Sequence, residues 1–240
     1  MSDSLQSRQR LISEVLILEK KWTGRSLERI TTVVAREMVK ALKDTDVQTH
    51  FAKEGWATIW FGKEDVPVVA ELPIGELIMN VQEGDNIGVA GRFEYADESS
   101  ADENAIVAMI RLPRDYDFSQ FHLLVPDLKD ALRHEIEHSF QSTEMLSGLS
   151  GVLDQYASMD SLSQYLLSDA ETFAHVAGFY KKAKMLRIPA SDVLDEELEN
   201  LRNVAVDQGL PIDELNPLLK KVKKQWMANM KQRYPRMKTS

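Results

Sequence analysis

His134-Glu135-Ile136-Glu137-His138 reads H-E-x-x-H. On a helix, residues four apart lie one turn up on the same face. Two imidazoles so placed reach one zinc ion at ~2.0–2.1 Å. Glu135 stands one residue off that face, in reach of a water beside the metal rather than of the metal itself. Such a carboxylate takes the proton as water attacks a carbonyl, which is the division of labour in zinc peptidases. Histidine is scarce, five in 240 residues, so coincidence explains this spacing poorly. The competing reading is a solvated helix face that happens to carry two histidines and two glutamates.

The flanking sequence predicts the helix that the motif needs. Pro126 suits a first helical turn, and residues 127–141 have helical periodicity. Leu128, Leu132, Ile136 and Phe140 form the face expected in the core, while His134 and His138 fall on another face. Before it lie short apolar runs rich in aromatic and β-branched residues. They predict about five strands, over Trp56–Phe61, Val66–Leu72, Leu77–Val81, Ile87–Tyr95 and Ala105–Leu112. Pro67 puts the second at an edge. Glu83-Gly84-Asp85-Asn86 signals a turn, and the acidic stretch 96–104 a surface loop.

Helices are expected at both ends of the chain. Residues 6–22 carry the stripe Leu11, Val15 and Leu18 up to Gly24. Ser26 then offers an N-cap for a second helix, with Ile30, Val33, Val34, Met38 and Leu42 on its buried face. After an irregular segment holding Gly148 and Gly151, and then residues 158–168, helices are predicted over 169–186, 191–206 and 212–234. Strand-rich sequence followed by helix-rich sequence means an α+β fold with segregated layers.

Composition narrows the chemistry. The chain has no cysteine, so a metal must be held by His, Asp or Glu. A hydrophobic content of 43% and a charged content of 28% are those of a soluble globular protein. No apolar run approaches the ~20 residues of a membrane span, and none near the start forms a leader core, so a cytoplasmic protein is expected. The formal charge of −9 argues against general nucleic-acid affinity. Against that balance, Lys220, Lys221, Lys223, Lys224, Lys231, Arg233, Arg236 and Lys238 follow one another with no acid between them. They read as cations that complement a helix dipole and an acidic body, or as an arm for an acidic partner.

A catalytic zinc takes three protein ligands and keeps one open position. Glu144 falls where H-E-x-x-H-x-x-G-x-x-H enzymes carry a third ligand, but Gln141 occupies the turn glycine's place. Glu171, early in a later helix, is the better candidate. Its alternative role is local, since Ser168-x-x-Glu171 spells a capping box. His175, one turn on, is another candidate ligand, a donor to a transition-state oxyanion, or an ordinary helix histidine. Tyr156 or Tyr165 is a candidate to polarise the scissile carbonyl.

His134-Glu-Ile-Glu-His138-Ser-Phe-Gln141, followed by Glu171-x-x-Ala174, resembles the zincin-type metallopeptidases encoded in bacteriophage and bacterial genomes. The resemblance covers roughly residues 103–187 and rests on few residues. It implies a zincin-like core with a small, mostly antiparallel sheet, a zinc helix beneath it, and a glutamate third ligand. The expected organisation is an N-terminal helical segment over 1–50, a zincin-like catalytic domain over 51–190 and a C-terminal helical segment over 191–240, together one compact unit. The expected activity is zinc-dependent hydrolysis of a peptide or protein substrate. Zn2+ would be held by His134, His138 and Glu171, with Glu135 as general base. The setting is the cytoplasm, or a host cytoplasm or virion if the chain is phage-encoded. Two alternatives stand beside it: a catalytically inactive zincin-like structural or assembly protein, and an adaptor that binds acidic partners through the basic helix.

Overall fold

The computed structural model describes residues 24–94, 103–141 and 156–235. It is an α+β structure that divides into two compact units, Met1–Phe140 and Gln141–Ser240. Among the described residues there are seven α-helices and one four-stranded sheet.

The first unit runs α1 (Gly24–Leu42), α2 (Thr45–Glu54), β1 (Trp56–Phe61), β2 (Glu76–Glu83), β3 (Gly88–Glu94), β4 (Ala105–Leu112) and α3 (Val125–Ser139). The strand order is β1-β2-β4-β3. β1 pairs with β2 and β3 with β4 antiparallel, whereas β2 and β4 are parallel, so the sheet is mixed. β4 inserts between β2 and β3 and has neighbours on both sides. Its sequence Ala-Ile-Val-Ala-Met-Ile-Arg-Leu is accordingly an almost continuous apolar run. The link from β2 to β3 passes the end of β4, where Gly84 N donates to Leu112 O at 3.0 Å. Leu77, Met79 and Val81 alternate inward from β2 and join Ile106, Ala108 and Ile110 of β4. These side chains share one core with Ile30, Val34 and Met38 of α1 and Leu128, Leu132 and Ile136 of α3.

Two local expectations are corrected, and one helix is added. Val66–Leu72 is not a strand: Pro67–Glu71 is a 3-10 helix. Pro67 has no amide to give a ladder, and the segment satisfies itself locally, Val69 N donating to Val66 O and Leu72 N to Val69 O. Four strands remain of the five expected. Ser26 is itself helical, inside α1, so it is not the N-cap. Helix α2 was not expected from the sequence. It is capped by the Asp44 side chain, which accepts from Asp46 N at 2.8 Å, and closed by Gly55 at φ +79°. A second 3-10 helix, Phe118–Leu124, leads into α3 and is capped by the Asp117 carboxylate, which accepts from Ser119 N at 2.9 Å.

The second unit is helical: α4 (Met159–Leu167), α5 (Asp169–Leu186), α6 (Ala190–Asp207) and α7 (Ile212–Arg233). Trp226 of α7 is fully buried among Leu166, Phe179 and Leu194, and its indole N–H donates to Leu166 O at 3.1 Å. The helix expected over 6–22, most of the acidic stretch 96–104, and Glu144, Gly148, Gly151, Arg236 and Lys238 lie outside the described residues. Among the described residues no helix is long and apolar enough to cross a membrane.

Candidate metal centre

Helix α3 carries the whole H-E-x-x-H stretch. Pro126 opens it, and Leu128, Leu132 and Ile136 anchor one face in the core of the first unit. The neighbouring face is not solvated. Glu135, Glu137 and His138 are buried at 4–6% exposure, and His134 is half-buried. Burial of this kind removes the reading of a coincidental surface cluster, because polar groups enter a low-dielectric interior only with partners.

The two glutamates of the stretch have different surroundings. The Glu137 carboxylate pairs with the Arg133 guanidinium at 2.7 Å, one turn back and equally buried. Glu135 turns toward the histidines, with Oε1 3.9 Å from His134 Nε2. His134 Nε2 and His138 Nε2 stand 3.0 Å apart, their rings inclined at 72°. Two nitrogens on one tetrahedral zinc would be roughly 3.3 Å apart, so the imidazoles hold nearly the separation a shared ion requires. His134, Glu135 and His138 each present a donor atom, all within 4.8 Å of one another, and form a group able to hold a metal ion.

Strand β3 supplies a feature that the sequence reading missed. Gly91 faces α3, and a β-carbon there would stand 2.5 Å from Glu135 Cγ and 2.6 Å from Oε1. Only a residue without a side chain leaves that space. Gly91 pairs with Ala108 of β4, so two small residues lie side by side where the helix comes close. The available signal was a glycine inside a predicted strand, which marks a close approach.

In the second unit, Glu171 is buried in the first turn of α5. Ser168 caps that helix, its hydroxyl accepting from Glu171 N at 3.1 Å. The Ser168 amide, which a capping-box glutamate would receive, donates to Tyr165 O at 3.1 Å. The serine half of the box is therefore present, and the amide of its other half is directed to Tyr165. His175 Nε2 lies 3.7 Å from Glu171 Oε2, and its ring stacks on Trp226 with centroids 4.4 Å apart. Gln141 Nε2 donates to Ala170 O at 2.9 Å, a bond to the residue just before Glu171. Tyr156 and Tyr165 are half-buried against the helical core. Of the basic run, Lys220, Lys221, Lys224 and Lys231 are exposed on α7. Lys223 pairs with Asp195, and Arg233 donates to Phe173 O at 3.0 Å.

Compared with known protein families, curated proteins and solved structures, the chain matches none.

Proposed function

We propose that this chain is a zinc-dependent peptidase with a zincin-like core, in which His134, His138 and Glu171 hold the metal and Glu135 moves the proton. The observation that carries the reading is the paired imidazoles, Nε2 to Nε2 at 3.0 Å, on a buried helix face that also holds the Glu135 carboxylate. Zinc rather than a hard cation suits two imidazole nitrogens with one carboxylate. When bound, zinc supplies Lewis acidity toward a carbonyl and makes water acidic near neutral pH. Glu135 Oε1 accepts the proton of the attacking water and returns it to the leaving nitrogen as the C–N bond breaks.

Two further observations support the reading. The Ser168 amide, the group from which a capping-box glutamate accepts, donates to Tyr165 O. Strand β3 forms one edge of the sheet among the described residues and packs on α3 at Glu135, the arrangement that lets an extended peptide add as a further strand beside the site. The test is hydrolysis of a mixed peptide library by zinc-loaded protein, followed by mass spectrometry, with Glu135→Gln alongside. Cleavage that disappears in Glu135→Gln supports the reading, and cleavage that persists there contradicts it.

A further inference from the structure

We propose that Gly91 is a positioning residue for Glu135, its missing side chain forming the slot that fixes where the carboxylate stands. This rests on the peptidase reading for its catalytic consequence, though not for its geometry. Glu135 is buried, so its side chain has few other places to go. With a β-carbon at residue 91, Cγ, Cδ and Oε1 of Glu135 would all lie within 2.9 Å of it. Real β-carbons do not approach so closely, and something must move. Two bodies share that contact: strand β3, tied to β4 from Gly88↔Arg111 through Glu94↔Ala105, and a glutamate side chain with three rotatable bonds. The side chain yields first, because moving the strand breaks a hydrogen-bonded ladder while rotating Glu135 breaks none of it. A substitution at Gly91 therefore displaces the proton carrier and leaves both imidazoles in place.

The same strand offers a matched control. Among the described residues, chain neighbours aside, no atom lies within 4 Å of where a β-carbon at Gly88 would stand, so Gly88→Ala changes the strand's backbone preference without crowding any of them. Gly91→Ala should keep its zinc, measured by elemental analysis, while kcat falls about 100-fold at nearly constant KM, the usual scale for a group displaced by an ångström. Gly88→Ala should leave both unchanged. Thermal midpoints then test the contact without reference to activity. Gly91→Ala should lower Tm by ~2–5 °C in the wild-type background, and the loss should vanish in Glu135→Ala, which removes all three crowded atoms.

An equal Tm loss in both backgrounds overturns the proposal, and so does wild-type kcat in Gly91→Ala. Should Gly91→Ala fail to fold, recovery of folding in Gly91→Ala/Glu135→Ala upholds the slot and its failure overturns it. A wild-type protein that hydrolyses nothing sinks the peptidase reading alone. The Tm cycle then decides the Gly91–Glu135 relation by itself, upholding it if the loss vanishes and overturning it if the loss persists.

Discussion

His134 Nε2 and His138 Nε2 face each other at 3.0 Å across one turn of α3. That separation is close to the roughly 3.3 Å of two nitrogens on a shared tetrahedral ion, so metal binding demands little rearrangement of the helix. Because the fold presents the pair ready-made, zinc should stabilise the folded state by mass action. At a free zinc concentration 100-fold above Kd the gain is about 2.7 kcal/mol. Thermal unfolding with and without zinc measures it. An unchanged midpoint at saturating zinc would contradict the expectation.

Glu135→Gln should separate binding from chemistry. The amide keeps the shape of the side chain and cannot take a proton, so zinc content should stay at the wild-type level. Turnover should fall by about 10²–10⁴-fold, the usual worth of a positioned general base. Loss of metal from this variant would make Glu135 a ligand rather than a proton carrier.

Arg133 and Glu137 form a buried ion pair on α3 at 2.7 Å. Removing one partner leaves the other charged and desolvated, at a cost of about 3–5 kcal/mol. Glu137→Ala should therefore lower stability far more than a surface glutamate, and Arg133→Met/Glu137→Leu should recover much of the loss. Denaturant titration of the three proteins measures this. A loss below about 1 kcal/mol for Glu137→Ala would mean that the pair behaves as an exposed one.

Asp117 gives the lead into α3 a pH dependence. Hydrogen bonds from the Ser119 side chain and then from Ser119 N, with a weaker one from the Gln120 side chain, hold its carboxyl below the ordinary value of 3.8. A depressed folded value means the ionised cap stabilises above the unfolded pKa and is lost as pH falls through the lower folded one. The Tm difference between wild type and Asp117→Ala should thus be full near neutral pH and narrow below about pH 4. A difference constant from pH 7 to pH 3 would exclude the carboxylate cap as its cause.

What the sequence disclosed follows the range of the forces involved. Helix α3 was legible because the apolar spacing of Leu128, Leu132 and Ile136 and the proline at its start are local signals. Strands β1 and β4 match the predicted bounds for the same reason. The 3-10 helix at Pro67–Glu71 resembles a strand in sequence because a short Val-rich run looks alike in either form until its hydrogen bonds are seen. The insertion of β4 between β2 and β3 depends on pairing between distant residues, and no local pattern encodes it. At the site, His134, Glu135 and His138 came from spacing alone. The Gly91 slot did not, because it exists only once the sheet meets the helix.

The proposed peptidase mechanism depends on zinc held by His134, His138 and Glu171. Elemental analysis of untagged protein, wild type beside His138→Ala and Glu171→Ala, tests it most directly. One zinc per chain is expected in the wild type, none in His138→Ala and much weakened retention in Glu171→Ala. Wild-type protein that carries no metal after zinc supplementation would contradict it.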